Sequence, residues 1–185
     1  LKKKKSFKIE IIFVDDGSSD NSYVLISEFI KDFKNLKKNN KIKFKIIKSK
    51  NNLGKGSALR LGVKKAKCDW ILTADIDMSV SLFQCTNWIN QKLINENFFV
   101  YFGSRKHEKS IVKKNRFRNI LGNIMRLLVA LILNIKIRDT QCGFKLYKKK
   151  IAKMIFPKIK NNGFDHDLEI VLQLKSKKIE IKELP

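Results

Sequence analysis

The feature that most constrains this chain is a regular alternation. Short apolar runs of β type, each cut off by polar residues, are separated by stretches with helical periodicity. Residues 9–14 (IEIIFV) read as a buried strand that stops at Asp15-Asp16-Gly17-Ser18. Ser19 or Asp20 can cap a following helix, whose apolar positions Val24, Leu25, Phe29 and Phe33 recur at helical spacing. Residues 44–47 form a second expected strand, followed by the loop 51–54 and a helix over about 55–66. A third strand, 70–74, runs into Asp75, and a helix over about 81–95 leads to a fourth strand, 98–103. This order predicts the α/β class, with a mainly parallel sheet covered by helices on both faces. Ligands of such sheets bind at the carboxyl ends of strands, so the polar segments that end these strands are where chemistry is expected.

Composition narrows the partners. The 185 residues suit one domain, and 43% hydrophobic residues are enough for a core. Forty-one basic against 17 acidic residues give a formal charge of +24, which suggests an anionic partner. Only six of the basic residues are arginine, however, and planar recognition of bases favours the arginine fork. A nucleic-acid-binding module would also interleave aromatics with arginine on one face, whereas most of the 13 Phe sit inside apolar runs. That module is a distant alternative, and no nucleic-acid partner is expected. Three widely spaced cysteines and two histidines build neither a disulfide framework nor a zinc site. The longest apolar region, 120–137, is interrupted by Asn123, Arg126, Asn134 and Lys136, short of the ~20 residues of a membrane span.

Five segments can carry chemistry. In VDDGSSD, residues 14–20, a carboxylate at the strand end can accept hydrogen bonds from a uracil ring N–H or ribose hydroxyls; a plain turn with a helix cap explains the same residues. In NLGKGSA, residues 52–58, Lys55 lies between two glycines at a helix start, which suits a diphosphate, although the spacing is not that of a P-loop. A flexible loop with a solvated lysine is the alternative there. Asp75 and Asp77 follow the third strand. Read as an extended segment, it places both carboxylates on one side, where Mg²⁺ or Mn²⁺ would relieve their repulsion and neutralise a leaving diphosphate. Arg105, in Gly103-Ser104-Arg105, with Lys114, Arg116 and Arg118 a dozen residues later, reads as an anion clamp, although a solvated basic helix face better explains Lys113 and Arg116. IRDTQCGFKLY, residues 137–147, and GFDHDLE, residues 163–169, complete the set.

VDDGSSD, NLGKGSALRLG, ADID, GSR, RDTQCGFKLY and FDHDLE, in this order, resemble the family 2 glycosyltransferases across essentially the whole chain. The match is closest to the branch that glucosylates dolichyl phosphate, to which RDTQCGFKL is specific. The resemblance implies a GT-A fold, a UDP-sugar donor (UDP-glucose), a divalent metal and a polyprenyl-phosphate acceptor. It places Asp15 and Asp16 at the uridine, Asp75 nearer the nucleotide, and Asp77 on the metal. Arg105, Arg118 and Lys145 fall where the lipid phosphate is met, and Asp139 lines the reaction centre together with Lys145. A mannosyltransferase or another hexosyltransferase of the family, acting on a lipid phosphate or a glycan, is the alternative. The family's opening strand is missing, and residues 1–185 are expected to be one catalytic domain trimmed at both ends. Apolar residues at 120, 121, 124, 127, 128, 131, 132 and 135 form a helical stripe edged by Arg118, Arg126 and Lys136. The stripe suits either the core or the headgroup boundary of a membrane. The expected location is peripheral, on the cytoplasmic side of the endoplasmic reticulum in a eukaryote or of the plasma membrane in a bacterium.

Overall fold

The fold was analysed in a computed structural model that describes residues 7–36, 41–111, 136–163 and 165–185. The described residues divide into two compact units, one reaching Ile71 and including Lys148–Glu169, the other comprising Leu72–Tyr147 with Ile170–Pro185.

In the first unit, strands β1 (Ile9–Asp15) and β2 (Ile42–Lys48) pair in parallel from Ile9↔Ile42 to Asp15↔Lys48. Parallel neighbours need a crossover, and helix α1 (Ser22–Leu36) lies on it. Phe33 of α1 meets Phe44 of β2 edge-on, with ring centroids 4.9 Å apart. Helix α2 (Lys55–Lys65) packs on β1 through Gly62, where a Cβ would lie 3.2 Å from Val14 Cγ2. Helix α4 (Lys149–Ile155) buries Ile151, Ala152 and Ile155 and runs into a 3₁₀ turn at Phe156–Lys158. The Lys153 ammonium donates to the Lys64 carbonyl in the last turn of α2 (2.6 Å), satisfying an acceptor that has no partner within its own helix.

The second sheet has the order β3-β5-β4-β6. Its strands are β3 (Trp70–Thr73), β4 (Val100–Gly103), β5 (Lys145–Lys148) and β6 (Lys182–Leu184). All four residues of β4 are buried. Helix α3 (Phe83–Asn90) sends Trp88 inward, where its indole N–H donates to the Pro185 carbonyl (2.8 Å) and its ring lies 5.2 Å from that of Phe144. Helix α5 (His166–Ser176) contributes Ile170, Val171 and Leu174 to the core.

The α/β class is as expected, with one difference in the sheet. β6 runs parallel to β4, but β5 runs antiparallel to it. β5 begins in the last three residues of RDTQCGFKLY, where no strand was expected. The helix expected over about 81–95 also stops early, at Asn90. Lys92 takes a left-handed conformation (φ 54°), while Leu93 N–H bonds Trp88 O and Lys92 N–H bonds Ile89 O. This is a Schellman stop with lysine where glycine is usual, and α5 ends the same way at Lys178. Among the described residues, no helix is long and apolar enough to cross a membrane.

Candidate active site

β1 delivers Asp15 and Asp16 to the end of its strand. Asp15 is buried, its Oδ1 accepts the Ser18 N–H (2.8 Å), and hydrogen bonds from Ser18 hold its carboxyl below the usual carboxylate range. Asp16 Oδ2 accepts N–H groups of Leu53 (3.2 Å) and Gly54 (2.5 Å), tying the DDGSS turn to the NLGKG loop. Gly17 permits that approach, because it has φ 75° and a Cβ there would lie 2.7 Å from the Asn51 carbonyl carbon. The other oxygens, Asp15 Oδ2 and Asp16 Oδ1, are buried with no hydrogen-bond partner among the described residues. Buried acceptors left in this state cost about 1–3 kcal/mol each, which a bound donor group would recover.

The glycines around Lys55 serve close backbone packing. A Cβ on Gly54 would lie 2.5 Å from Asn162 O, and one on Gly56 would lie 2.4 Å from Asn161 O. Gly56 N–H donates to Asn162 O (2.8 Å). Arg60 reaches the Asn161 carbonyl (3.2 Å) and the Asn162 side chain, and Glu169 accepts the N–H groups of Lys160 and Asn161. Both glycines are therefore fixed by close backbone packing on residues 161–162. Lys55, at the first position of α2, is half-buried.

In the second unit Asp75 and Asp77 follow β3, but not on an extended segment. Met78 N–H bonds Asp75 O (3.2 Å), Met78 has φ 52°, and Asp77 Oδ1 accepts the Ser79 N–H (3.0 Å). Residues 75–78 form a turn, which corrects the alternation argument for a shared face. Aspartate and serine favour such local side-chain-to-backbone bonds over extension. The Asp75 carboxylate is half-buried against Gly143, where a Cβ would fall 2.3–2.6 Å from its three carboxyl atoms. Among the described residues, no group of three or more His, Cys, Asp or Glu side chains converges as a metal site. Two carboxylates completed by diphosphate oxygens are nonetheless the donor set that Mg²⁺ commonly takes, and Asp75 and Asp77 fit it.

Asp139 and Arg105, given separate roles by the sequence, are partners. The Arg105 backbone N–H (3.0 Å) and Nε (2.7 Å) donate to Asp139 Oδ2, and Nη2 donates to Oδ1 (2.9 Å). Burial pushes the Asp139 carboxyl up, but hydrogen bonds and charge from Arg105 outweigh it and hold the group below its ordinary value. Glu183, which sequence reasoning missed, accepts the N–H groups of Arg138 and Asp139 and fixes this loop. Thr73 Oγ1 donates towards Gly143 O (3.1 Å) and Lys145 O (3.3 Å), joining the end of β3 to the same loop. Lys145, expected at the acceptor phosphate, is fully buried with its ammonium 5.0 Å from the centre of the Phe102 ring. Cys142 is buried and its thiol is pushed up by burial, which does not suit a nucleophile. Arg118 and the stripe over 120–135 lie outside the described residues.

Comparison with known proteins adds three findings. The family model described as "Glycosyl transferase family 2" matches residues 1–156. The chain is 33% identical over 197 residues to a dolichyl-phosphate beta-glucosyltransferase of Saccharomyces cerevisiae, covering 100% of this chain and 58% of the yeast protein. It is 31% identical over 188 residues to that of Dictyostelium discoideum, covering 99% of this chain and 56% of the relative. The chain thus spans a little over half the length of these curated relatives. Among solved structures, it superposes on Mycobacterium tuberculosis glucosyl-3-phosphoglycerate synthase bound to phosphoglyceric acid with a TM-score of 0.57 at 12% identity, covering 95% of this chain and 59% of that one. The same synthase with Mn²⁺, UDP-glucose and glycerol 3-phosphate gives a TM-score of 0.50 at 10% identity, covering 96% and 70%. These likenesses are to the fold.

Proposed function

Because the chain belongs to glycosyl transferase family 2, we propose that it forms the catalytic part of a hexosyltransferase that moves glucose from UDP-glucose to a dolichyl or other polyprenyl phosphate. The observation that carries this reading is the pair of buried acceptor oxygens, Asp15 Oδ2 and Asp16 Oδ1, which await donors. A uracil ring N–H and ribose hydroxyls are such donors. The names of the yeast and Dictyostelium relatives support the acceptor and the hexose, and the UDP-glucose complex of the mycobacterial synthase supports the donor.

Each residue then has a task. Asp15 and Asp16 receive the nucleoside, and Lys55, at the start of α2, meets the diphosphate. Asp75 and Asp77 would hold Mg²⁺ or Mn²⁺, which when bound neutralises charge developing on the departing UDP. Gly143 leaves the Asp75 carboxylate its room. The reaction is a single in-line displacement at the anomeric carbon with inversion. The acceptor phosphate, with a second pKa near ~6, is already ionised at neutral pH and needs no strong general base. Asp139, held anionic by Arg105, orients the reacting groups rather than removing a proton. Arg105 keeps its side chain 47% exposed while paired, so its outer edge can meet the acceptor phosphate. Arg118 and Lys145 are assigned there by the resemblance alone. With a lipid acceptor, the protein would act peripherally at a membrane, on the cytoplasmic side of the endoplasmic reticulum in a eukaryote or of the plasma membrane in a bacterium.

Nucleotide binding measured by calorimetry tests the donor assignment. UDP should bind more tightly than GDP or ADP, and Asp16→Ala should remove that preference. Equal binding of the three nucleotides, or a preference untouched by the substitution, would overturn it.

A further inference from the structure

In the first unit, strand β2 is an edge: among the described residues it pairs with β1 alone. Two bonds at its ends set the direction of its backbone groups. Lys41 O accepts the Ile9 N–H (2.8 Å) and the Ser49 N–H donates to Asp15 O (2.8 Å), so the odd-numbered positions bond β1. The N–H and C=O groups of Ile42, Phe44 and Ile46 therefore point outward, a template for one more strand.

The two faces of β2 differ in chemistry, because successive side chains alternate. Phe44 lies on the α1 face, its ring 4.9 Å from that of Phe33 and 6.1 Å from that of Phe29. Phe29 is nevertheless 53% exposed, and Leu25, one turn before it on α1, is 63% exposed. On the opposite face Lys43 and Lys45 are exposed. Glu10, the register partner of Lys43 on β1, is already engaged by the Lys67 N–H (2.8 Å). A strand that matches both faces sets apolar side chains over Phe44 and Phe29 and carboxylates beside Lys43 and Lys45. Opposite charges on neighbouring strands favour pairing and like charges oppose it. A second copy presenting its own β2 would set lysine against lysine, so the residues that bar self-pairing select an acidic strand.

We propose that the free edge of β2 docks an extended acidic segment of a partner protein, added as a strand in which apolar residues alternate with glutamate or aspartate. Main-chain bonds to Ile42, Phe44 and Ile46 supply affinity, and the two unlike faces supply the choice of sequence. The inference rests on this edge alone and stands or falls apart from the transferase reading.

Fluorescence polarisation of the intact protein with a short labelled peptide, in which glutamate and valine alternate, tests the site. A chain of formal charge +24 attracts any acidic peptide, so the control has the same composition with its glutamates in one block. The alternating peptide should bind saturably and at least tenfold more tightly than the block. Lys43→Glu combined with Lys45→Glu should weaken it at least tenfold, and Leu25→Ser severalfold. N-methylation of alternate peptide amides should abolish binding in one phase and spare it in the other, as strand addition requires. Circular dichroism checks each variant's fold, and Lys43→Gln with Lys45→Gln, expected to weaken binding severalfold, serves if the charge-reversed protein does not fold. Equal binding of the two peptides, or binding indifferent to the lysine substitutions or to the phase of N-methylation, would overturn the proposal. So would self-association of the chain through this edge, or binding of phosphatidylglycerol vesicles through Leu25 and Phe29, with no peptide bound.

Discussion

Replacing Gly143 by alanine separates the site from the fold. The added Cβ would lie 2.3 Å from one Asp75 carboxylate oxygen and 2.6 Å from the other two carboxyl atoms, where ordinary contact begins at 3.4 Å. The carboxylate must therefore move by roughly 1 Å, the scale of misplacement that costs about 10²-fold in rate at a positioned group. The clashing atoms are the end of a side chain, and Gly143 does not have the positive φ that would itself strain alanine. Swinging Asp75 off its rotamer costs about 0.5–1.5 kcal/mol, so the fold should survive. The expected result is a loss of stability below about 1.5 kcal/mol in urea unfolding. Alongside it, Mn²⁺-dependent UDP binding or transfer should fall about 100-fold, equivalent to about 2.7 kcal/mol. Unchanged metal-dependent binding in a folded Gly143→Ala protein would refute the role given to Asp75.

Asp139→Asn should destabilise the protein by about 1–3 kcal/mol at neutral pH by leaving Arg105 without its partner. Because the folded-state value of Asp139 lies below its ordinary 3.8, this contribution is full above that value and fades as pH falls through the folded value; urea unfolding should show the gap between wild type and variant closing only in that acid range. Gly56→Ala sets a Cβ 2.4 Å from a backbone carbonyl that cannot swing away, and should cost about 1–3 kcal/mol or more in chemical denaturation. Lys92→Gly should raise stability by about 0.5–1 kcal/mol, since glycine removes the left-handed strain at the end of α3; a lower denaturation midpoint would contradict the assigned stop.

The ends of strands were legible because an apolar run that stops at acids or glycine is a local signal. The expected 9–14 and 70–74 match β1 and β3 to within a residue. Features that depend on partners distant in sequence were not. Arg105 and Asp139 lie 34 positions apart, and no spacing rule joins them. The glycines of NLGKG gave no sign of what they pack against, because they face Asn161 and Asn162, about a hundred residues later. The turn over 75–78 was read as extended because Asp-Ile-Asp alternates, yet its local hydrogen bonds outweigh that pattern. Lysines at 92 and 178 hid two helix ends that glycine would have marked. Glu183, Thr73 and Gly143 carried no signal of their own; each matters through the loop before β5 that it touches.

Transfer of a hexose from a uridine nucleotide to a lipid phosphate can be followed in one assay. The protein is incubated with a short polyprenyl phosphate, Mn²⁺ and, separately, UDP-glucose, UDP-galactose and GDP-mannose, and the lipid fraction is read by mass spectrometry. The expected product is a glucosylated polyprenyl phosphate from UDP-glucose with inverted anomeric configuration, suppressed by chelation of the metal and by Asp77→Asn. A product formed only from GDP-mannose, or glucosyl transfer indifferent to Asp77 and to the metal, would contradict it.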